Sequence, residues 1–151
     1  MDETYVEVRG QWKYLYRAVH KEGKTIDFLL RAKRDKVAAM AFFRKALRVS
    51  GDPEKVTMDR SGANKAAMHE INKDCNVPIE GRQIKYLNNI IEQDHRAVKR
   101  LSKPTLGFKS FWAASKVLAG IELMHMIRKG QLSAEKGKER SFAEQFYALA
   151  A

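Results

Sequence analysis

The sequence predicts a single α/β domain in which helices flank a mixed β-sheet. Two observations support this class: three β-like segments follow one another near the start, and helical and β segments then alternate before the chain ends in helices. The chain has 151 residues, which is enough for one domain with a hydrophobic core. Its composition, 44% hydrophobic and 31% charged, is that of a globular protein.

The first three β segments are predicted to form an antiparallel three-strand meander. Residues 5–8 alternate in polarity, and Gly10 separates them from the aromatic-rich segment 12–19. A short hairpin turn, in which Gly23 supplies a positive φ, leads into a third segment at 25–30. Each segment is therefore placed beside the one before it.

The rest of the chain alternates between helical and β patterns. A helix capped by Asp35 is predicted to end at 50–53, and a short strand at 55–59 follows it. The later elements are a helix at 61–74, a loop at 75–81, a strand at 82–86, a helix beginning near 88 or 89, a helix at 108–129, a charged linker at 136–140 and a short helix at 141–147. The helix at 108–129 is apolar almost all round, so we expect it to be buried on more than one side, in part by a subunit contact.

The helix that begins near residue 88 carries one carboxylate surrounded by cations. Its polar face is formed by Glu92, Arg96, Lys99 and Lys103. Its apolar face is formed by Leu87, Ile90, Ile91, Ala97, Val98 and Leu101. Two simpler interpretations of Glu92 are ordinary ion pairs along the helix and a capping box with Asn89 as the N-cap.

Three acidic residues from separate elements are candidates for a shared site. The order of elements suits the ribonuclease H-like fold, in which the first and fourth strands are neighbours, so Asp2 and Asp59 can approach each other while Glu92 arrives from a helix beside them. Converging carboxylates repel one another unless a cation lies between them. Magnesium prefers oxygen ligands, and two ions can clamp the attacking and leaving oxygens of a phosphodiester. Alternatively, Asp2 is a frayed terminal residue and Asp59 caps the helix at 61–74.

Three other acids are expected to lie outside this site. Asp27 is in the middle of a strand and is expected to be a surface or paired acid. Asp94 lies on the apolar face of its helix, so we expect it to be buried and paired with a cation or backbone donors. Glu3 alternates to the other side of the strand from Asp2 and should not share its site.

Charge and composition favour one class of partner. The formal net charge is +11 with a pI near 9.8, which favours nucleic acid over a membrane surface. The single Cys75 rules out an internal disulfide and fits a reducing compartment, and no zinc-ligand spacing or signal peptide is recognisable. The apolar run at 108–127 includes Lys109, Lys116 and Glu122, so it is predicted to be a buried helix rather than a membrane span.

Three long segments, at 2–6, 55–64 and 86–96, resemble the catalytic domain of bacterial DDE transposases of the insertion-sequence-six family. Segments 106–111, 119–131 and 143–147 are also similar to it, so the resemblance covers nearly the whole chain. On this basis residues 1–131 are expected to form the catalytic domain, and residues 132–151 a C-terminal helical tail. The resemblance places the protein in the bacterial cytoplasm, in association with the nucleoid.

The resemblance implies that Asp2, Asp59 and Glu92 form a catalytic triad that binds two magnesium or manganese ions. Lys99, seven residues after Glu92, matches the family's basic residue near the DNA end, and Arg96 and Lys103 extend the same DNA-binding face. Family members bind the terminal inverted repeats of their element, cut one strand at each end and join the 3′ ends to target DNA. They work as homodimers or larger assemblies.

Family members also carry a helix-turn-helix DNA-binding region before the first catalytic acid, whereas here that acid is the second residue. We therefore expect the chain to fold as a catalytic core but to transpose weakly or not at all by itself. Two alternatives are a non-catalytic basic DNA-binding and dimerising remnant that interferes with intact transposase, and a structure-specific nuclease on the same fold.

Overall fold

The computed structural model describes residues 1–83, 89–132 and 141–149. Its strands are β1 Asp2–Val8, β2 Gln11–Val19, β3 Thr25–Arg31, β4 Lys55–Thr57 and β5 Glu80–Arg82. Its helices are α1 Lys36–Ser50, α2 Gly62–Asp74, α3 Asn89–Ser102, α4 Phe111–Arg128 and α5 Phe142–Ala148, and a 3₁₀ turn, Lys103–Thr105, follows α3.

The predicted antiparallel meander is confirmed. Strands β1, β2 and β3 pair in that order, with Asp2 opposite Arg17 across the first pair. Arg9 and Gly10 connect β1 to β2 with φ values of 52° and 71°, the left-handed conformation that a two-residue type I′ hairpin turn requires at both positions. This turn holds the two strands in register over their whole length.

The remaining strands, β4 and β5, pair in parallel with each other. Within the described ranges they form a ladder separate from the meander, and the Met1 nitrogen, which donates to the Thr57 carbonyl oxygen at 2.6 Å, connects the two ladders. Consequently the start of β1 lies beside the end of β4, as predicted. Residues 84–86 of the predicted fifth strand and the predicted linker at 136–140 lie outside the described residues.

Two apolar cores cover the two faces of the meander. Helices α1 and α2 pack on one face, where the largest fully buried side chains include Tyr16, Phe42, Phe43 and Met58. Helices α3 and α4 pack on the other face, where Leu15, Val98 and Leu118 are almost inaccessible to solvent. The candidate site therefore lies between elements that are held from both sides.

Helix ends follow capping side chains. Asp35 caps α1 as predicted, by accepting from the Ala38 amide at 2.8 Å. Helix α4 begins at Phe111 rather than at 108, because Ser110 caps it and the Phe108 amide donates to the Glu7 carbonyl oxygen at 2.9 Å instead of entering the helix. Thus the loop before α4 belongs to the edge of β1.

The expectation that α4 is buried on more than one side holds only for its C-terminal half. All residues from 121 to 127 are buried or partly buried, and Ile127 lies about 140° around the helix from Glu122. In the N-terminal half, Ala114 and Leu118 are buried on one face, while Trp112 and Val117 are exposed. No helix among the described residues is long and apolar enough to cross a membrane.

The apolar face predicted for α3 also needs correction. The buried residues of α3 are Ile91, Asp94, His95 and Val98, whereas Ile90 and Leu101 are exposed. The buried face is shifted around the helix toward His95, and Asp94 lies within it as predicted. Leu87 lies outside the described residues.

Candidate metal centre

Three carboxylates converge where the start of β1 meets the end of β4. Asp2, Glu3 and Asp59 each offer an oxygen, and these atoms all lie within 4.8 Å of one another. Asp2 and Glu3 are the first two residues of β1, and Asp59 follows β4 by two residues. The structure thus brings together two of the three predicted acids and adds Glu3 to them.

Asp2 lies on the side of the sheet that α3 covers. Its Oδ2 is 3.9 Å from the His95 Nδ1, and its Oδ1 accepts from the Glu3 amide at 2.9 Å. Burial, together with the nearby negative charges of Asp59 and Glu3, raises the pKa of Asp2 to about 6. Burial also lowers the pKa of His95 to about 3, so the imidazole is neutral at pH 7 and does not compensate the acid.

Glu3 was expected to stand apart from Asp2, and this expectation is wrong. The two residues do approach different elements, because Glu3 contacts Arg34 and Asn64, whereas Asp2 lies near α3. However, β1 is an edge strand of the meander, and Asp59 lies just beyond that edge, within reach of both side chains. Burial raises the pKa of Glu3 as well.

Asp59 is held by several donors. Its Oδ1 accepts from the Asn64 side-chain amide at 2.7 Å and from the Ser61 amide at 3.2 Å. The N-cap of α2 is Ser61, so the alternative in which Asp59 caps this helix is wrong, whereas the predicted clustering of Asp59 with Asp2 is observed. Asn64 is fully buried and also donates to Glu3 Oε2 at 3.0 Å, so it links two of the acids.

Arg34 is the cation closest to these acids. It lies in the loop between β3 and α1, where its Nε pairs with Glu3 and its NH2 donates to Asp59 Oδ2 at 2.9 Å. An all-oxygen set of clustered, partly buried carboxylates fits a hard divalent cation such as Mg²⁺ or Mn²⁺. Burial is the main cause of the raised pKa values of Asp2 and Glu3, and the negative charge of Asp59 raises both further.

Glu92 lies outside the group of three acids. It is exposed in the first turn of α3, one turn before His95, so its Cβ is about 5–6 Å from that of His95. Arg96, Lys99 and Lys103 are exposed as well. Asn89 is the first residue of α3 rather than its N-cap.

A buried charge network lies behind the Asp2 end of the sheet. The expectation that Asp94 is buried and paired is confirmed, because its oxygens accept from Arg17 at 2.7 Å, Lys129 at 2.6 Å and His125 at 3.0 Å. Burial alone would raise the pKa of Asp94, but these partners outweigh burial and hold the pKa well below its usual range. Asp27 is likewise paired, with Lys45 Nζ at 2.7 Å.

Glu122 completes this network. It is fully buried, and its two oxygens accept from the Arg17 guanidinium at 2.5 and 2.8 Å. The sequence prediction missed both Arg17 and Glu122 as partners. The available signal was a charged residue within each of two otherwise buried apolar elements, because a buried charge requires a partner.

The fold defines the class of protein. The structure resembles the catalytic core domain of the HTLV-2 integrase, solved in complex with magnesium in a trimeric form, with a TM-score of 0.62 and 13% sequence identity over 95% of this chain and 90% of that one. This likeness confirms the predicted ribonuclease H-like fold. The fold likeness does not give the reaction of this chain, which has to be inferred from the acids and their surroundings.

Sequence comparison then identifies the family. A family model described as a DDE domain matches residues 1–131, and the chain belongs to this family of insertion-sequence transposase domains, in the insertion-sequence-six branch. The transposases of the element IS431mec and of IS257 in transposon Tn4003, both from Staphylococcus aureus, are each 39% identical over 136 residues, or 85% of this chain. The chain spans 57% of the length of these relatives.

Proposed function

We propose that this domain catalyses metal-dependent cleavage of DNA at the ends of an insertion sequence and transfer of the cut strand to target DNA. The observation that carries the proposal is the meeting of Asp2 and Asp59, from separate strands, with oxygens within 4.8 Å. Such a cluster is unfavourable in isolation and favourable around a cation. Family membership supports the same reaction class.

In this proposal Asp2, Asp59 and Glu92 hold two Mg²⁺ or Mn²⁺ ions. Bound divalent ions supply the positive charge that activates an attacking oxygen and stabilises the leaving oxygen of a phosphodiester. Asn64 and the Ser61 amide orient the Asp59 carboxylate before any ligand arrives, and His95 shields Asp2 from water. Glu92 would bind the ions from α3, one turn before His95, whose Nδ1 lies 3.9 Å from Asp2 Oδ2.

The DNA would lie across the exposed side of α3. Arg96, Lys99 and Lys103 follow Glu92 along this side and would bind phosphates of the terminal inverted repeat and the target. We further propose that residues 1–131 form the catalytic domain and 132–151 a tail, as the span of the family match supports. Assembly as a homodimer or larger is also part of the proposal, and the trimeric form of the HTLV-2 integrase core supports it. The assembly would act on the nucleoid in the bacterial cytoplasm.

The test is a nicking and joining assay with labelled oligonucleotide duplexes that carry the inverted-repeat end, in Mg²⁺, Mn²⁺ or EDTA. Asp59→Asn and Glu92→Gln are expected to lower the rate by at least about 100-fold. The matched control Asp74→Asn removes an exposed carboxylate at the C-terminal end of α2, ten residues or about 15 Å along the helix from Asn64, and should leave the rate unchanged. In parallel, Mn²⁺ binding measured by calorimetry should be lost in Asp59→Asn.

Three results would overturn the proposal. Full activity in Asp59→Asn would show that the acid cluster takes no part in the reaction. Salt-sensitive DNA binding without any metal-dependent cleavage would instead identify a DNA-binding remnant. Cutting of branched DNA without joining would identify a nuclease.

A further inference from the structure

An open pocket of about 780 Å³ lies along the outer edge of β1, beyond the acid cluster. We call it the aromatic pocket, and its principal lining residues are Tyr5, Trp12, Lys99, Lys103, Leu106 and Phe108. It lies between the β1–β2 hairpin and the C-terminal end of α3. The proposed chemistry at the acids uses none of the aromatic residues in it.

Two aromatic rings in this pocket are unusually exposed. Trp12 is 62% and Tyr5 46% exposed, and their ring centroids are 6.4 Å apart with the planes at 75°. Tyr14 supports Tyr5 from the next strand, with centroids 5.4 Å apart. The rings are therefore fixed in an edge-to-face row while much of their surface remains in solvent, which leaves room for a planar group to stack.

The opposite wall is fixed by backbone hydrogen bonds. The Phe108 carbonyl oxygen accepts from the Arg9 amide at 2.8 Å, and the Arg9 Nε donates to the Lys109 carbonyl oxygen at 2.6 Å. Gly107 has a φ of 88°, and an added Cβ there would lie 3.4 Å from the Glu7 side chain. The hairpin tip and the loop before α4 thus form a preformed site, which reduces the ordering cost of binding.

The charges around the pocket favour an anionic ligand with a planar apolar part. Lys99 and Lys103 are exposed at the rim, and Glu7 is the one acid among the lining residues that the structure describes. Aromatic rings with neighbouring cations are the arrangement by which proteins bind single-stranded nucleic acid, the bases stacking on rings and the phosphates contacting lysines. The chain's net charge of +11 also favours an anionic ligand.

The position of the pocket relates it to the acids. Tyr5 is three residues after Asp2 on β1, a distance of about 10 Å at about 3.3 Å per residue. Lys99 is seven residues after Glu92, also about 10 Å along the helix at about 1.5 Å per residue. Since a DNA strand rises about 3.4 Å per nucleotide, this distance corresponds to about three nucleotides.

We propose that the aromatic pocket binds an unpaired nucleotide of the substrate DNA, about three nucleotides from the phosphate that reacts at the acids. The base stacks on Trp12 and Tyr5, and its phosphate contacts Lys99 and Lys103. The distance to the reacting phosphate rests on the proposed function. Binding of the unpaired nucleotide is independent of the proposed function, because it requires neither metal nor cleavage.

The two tryptophans of the chain allow a direct test. In Trp112→Phe, Trp12 is the sole tryptophan, and we expect its fluorescence to be quenched by a duplex with a three-nucleotide single-stranded thymidine end, in EDTA. In Trp12→Phe, the reporter is Trp112, which is 71% exposed on α4 beside Lys116, and its emission should not change. The quenching should weaken as salt rises.

Affinity measurements complete the test. Trp12→Ala is expected to weaken binding of the single-stranded end by about 5- to 140-fold, the range for loss of one stacked base. It should leave binding of a fully paired duplex unchanged, and the matched control Trp112→Ala should alter neither.

Unchanged Trp12 emission at saturating DNA, or equal affinities for Trp12→Ala and Trp112→Ala, would overturn the inference even if strand transfer is normal. A Trp12 response to an apolar peptide strand and not to DNA would also overturn it, and would identify the β1 edge as a peptide site. Loss of metal-dependent cleavage with intact Trp12 quenching would refute only the proposed function.

Discussion

The buried pair formed by Arg17 and Glu122 provides a quantitative test of how α4 is held against the sheet. Both side chains are fully buried, and the guanidinium binds the carboxylate through two hydrogen bonds of 2.5 and 2.8 Å. Glu122→Gln keeps the shape of the side chain but removes its charge. Among the described residues, Arg17 then retains the carboxylate of Asp94 as its one ion-pair partner, at 2.7 Å.

Removal of one partner of a buried ion pair costs about 3–5 kcal/mol, because the other charge stays buried without compensation. Since Asp94 still pairs with Arg17, we expect a loss near the lower end, about 3 kcal/mol. For a domain of this size that lowers the Tm by about 6–12 °C. Urea and thermal unfolding followed by circular dichroism measure both quantities.

The double variant Arg17→Met, Glu122→Leu tests the physical reason. Apolar side chains of similar volume remove the buried charges together, and Asp94 keeps Lys129 and His125 as partners, so the double variant should be more stable than Glu122→Gln alone. Glu80→Gln, which alters a fully exposed acid, should leave the Tm unchanged. A loss below about 1 kcal/mol in Glu122→Gln, or a double variant less stable than the single one, would refute the reasoning.

Three further predictions concern the acid cluster and the pocket. Because the folded state raises the Asp2 pKa from 3.8 to about 6, the folded state binds the proton more tightly, and this carboxyl should make metal-free protein less stable as the pH rises from about 4 to about 6, by up to about 3 kcal/mol. Urea unfolding in EDTA should show that decline, and Asp2→Asn should remove it. Arg34→Gln should lower the Tm of the metal-free protein but enlarge the rise in Tm on adding Mn²⁺, because the Arg34 guanidinium then no longer competes with the ion for the acids. An unchanged rise in Tm in a thermal-shift assay would contradict this. Gly107→Ala should cost about 1–3 kcal/mol in unfolding free energy because its φ is 88°, and no loss would count against a rigid pocket wall.

The sequence was sufficient for the fold class because local periodicity and turn residues reflect the backbone directly. The meander, the cap at Asp35 and the burial of Asp94 were all predicted from residues a few positions apart. It was less informative for α4, where apolar residues all round the helix carry no directional signal. The start of that helix was misplaced because the loop before it pairs with β1, a contact about 100 residues distant in sequence.

The sequence by itself predicted that Asp2 and Asp59 could approach each other, because the order of elements suits a fold in which the first and fourth strands are neighbours. Only the tertiary structure showed that Glu3 joins them. The alternation of a strand indicates the face on which a side chain begins but not how far it reaches around the edge of the sheet. The tertiary structure alone also showed that Arg34, in the loop before α1, and Asn64, in the first turn of α2, contact the acids. Partners far apart along the chain become neighbours through packing, and packing depends on the whole core rather than on any local pattern.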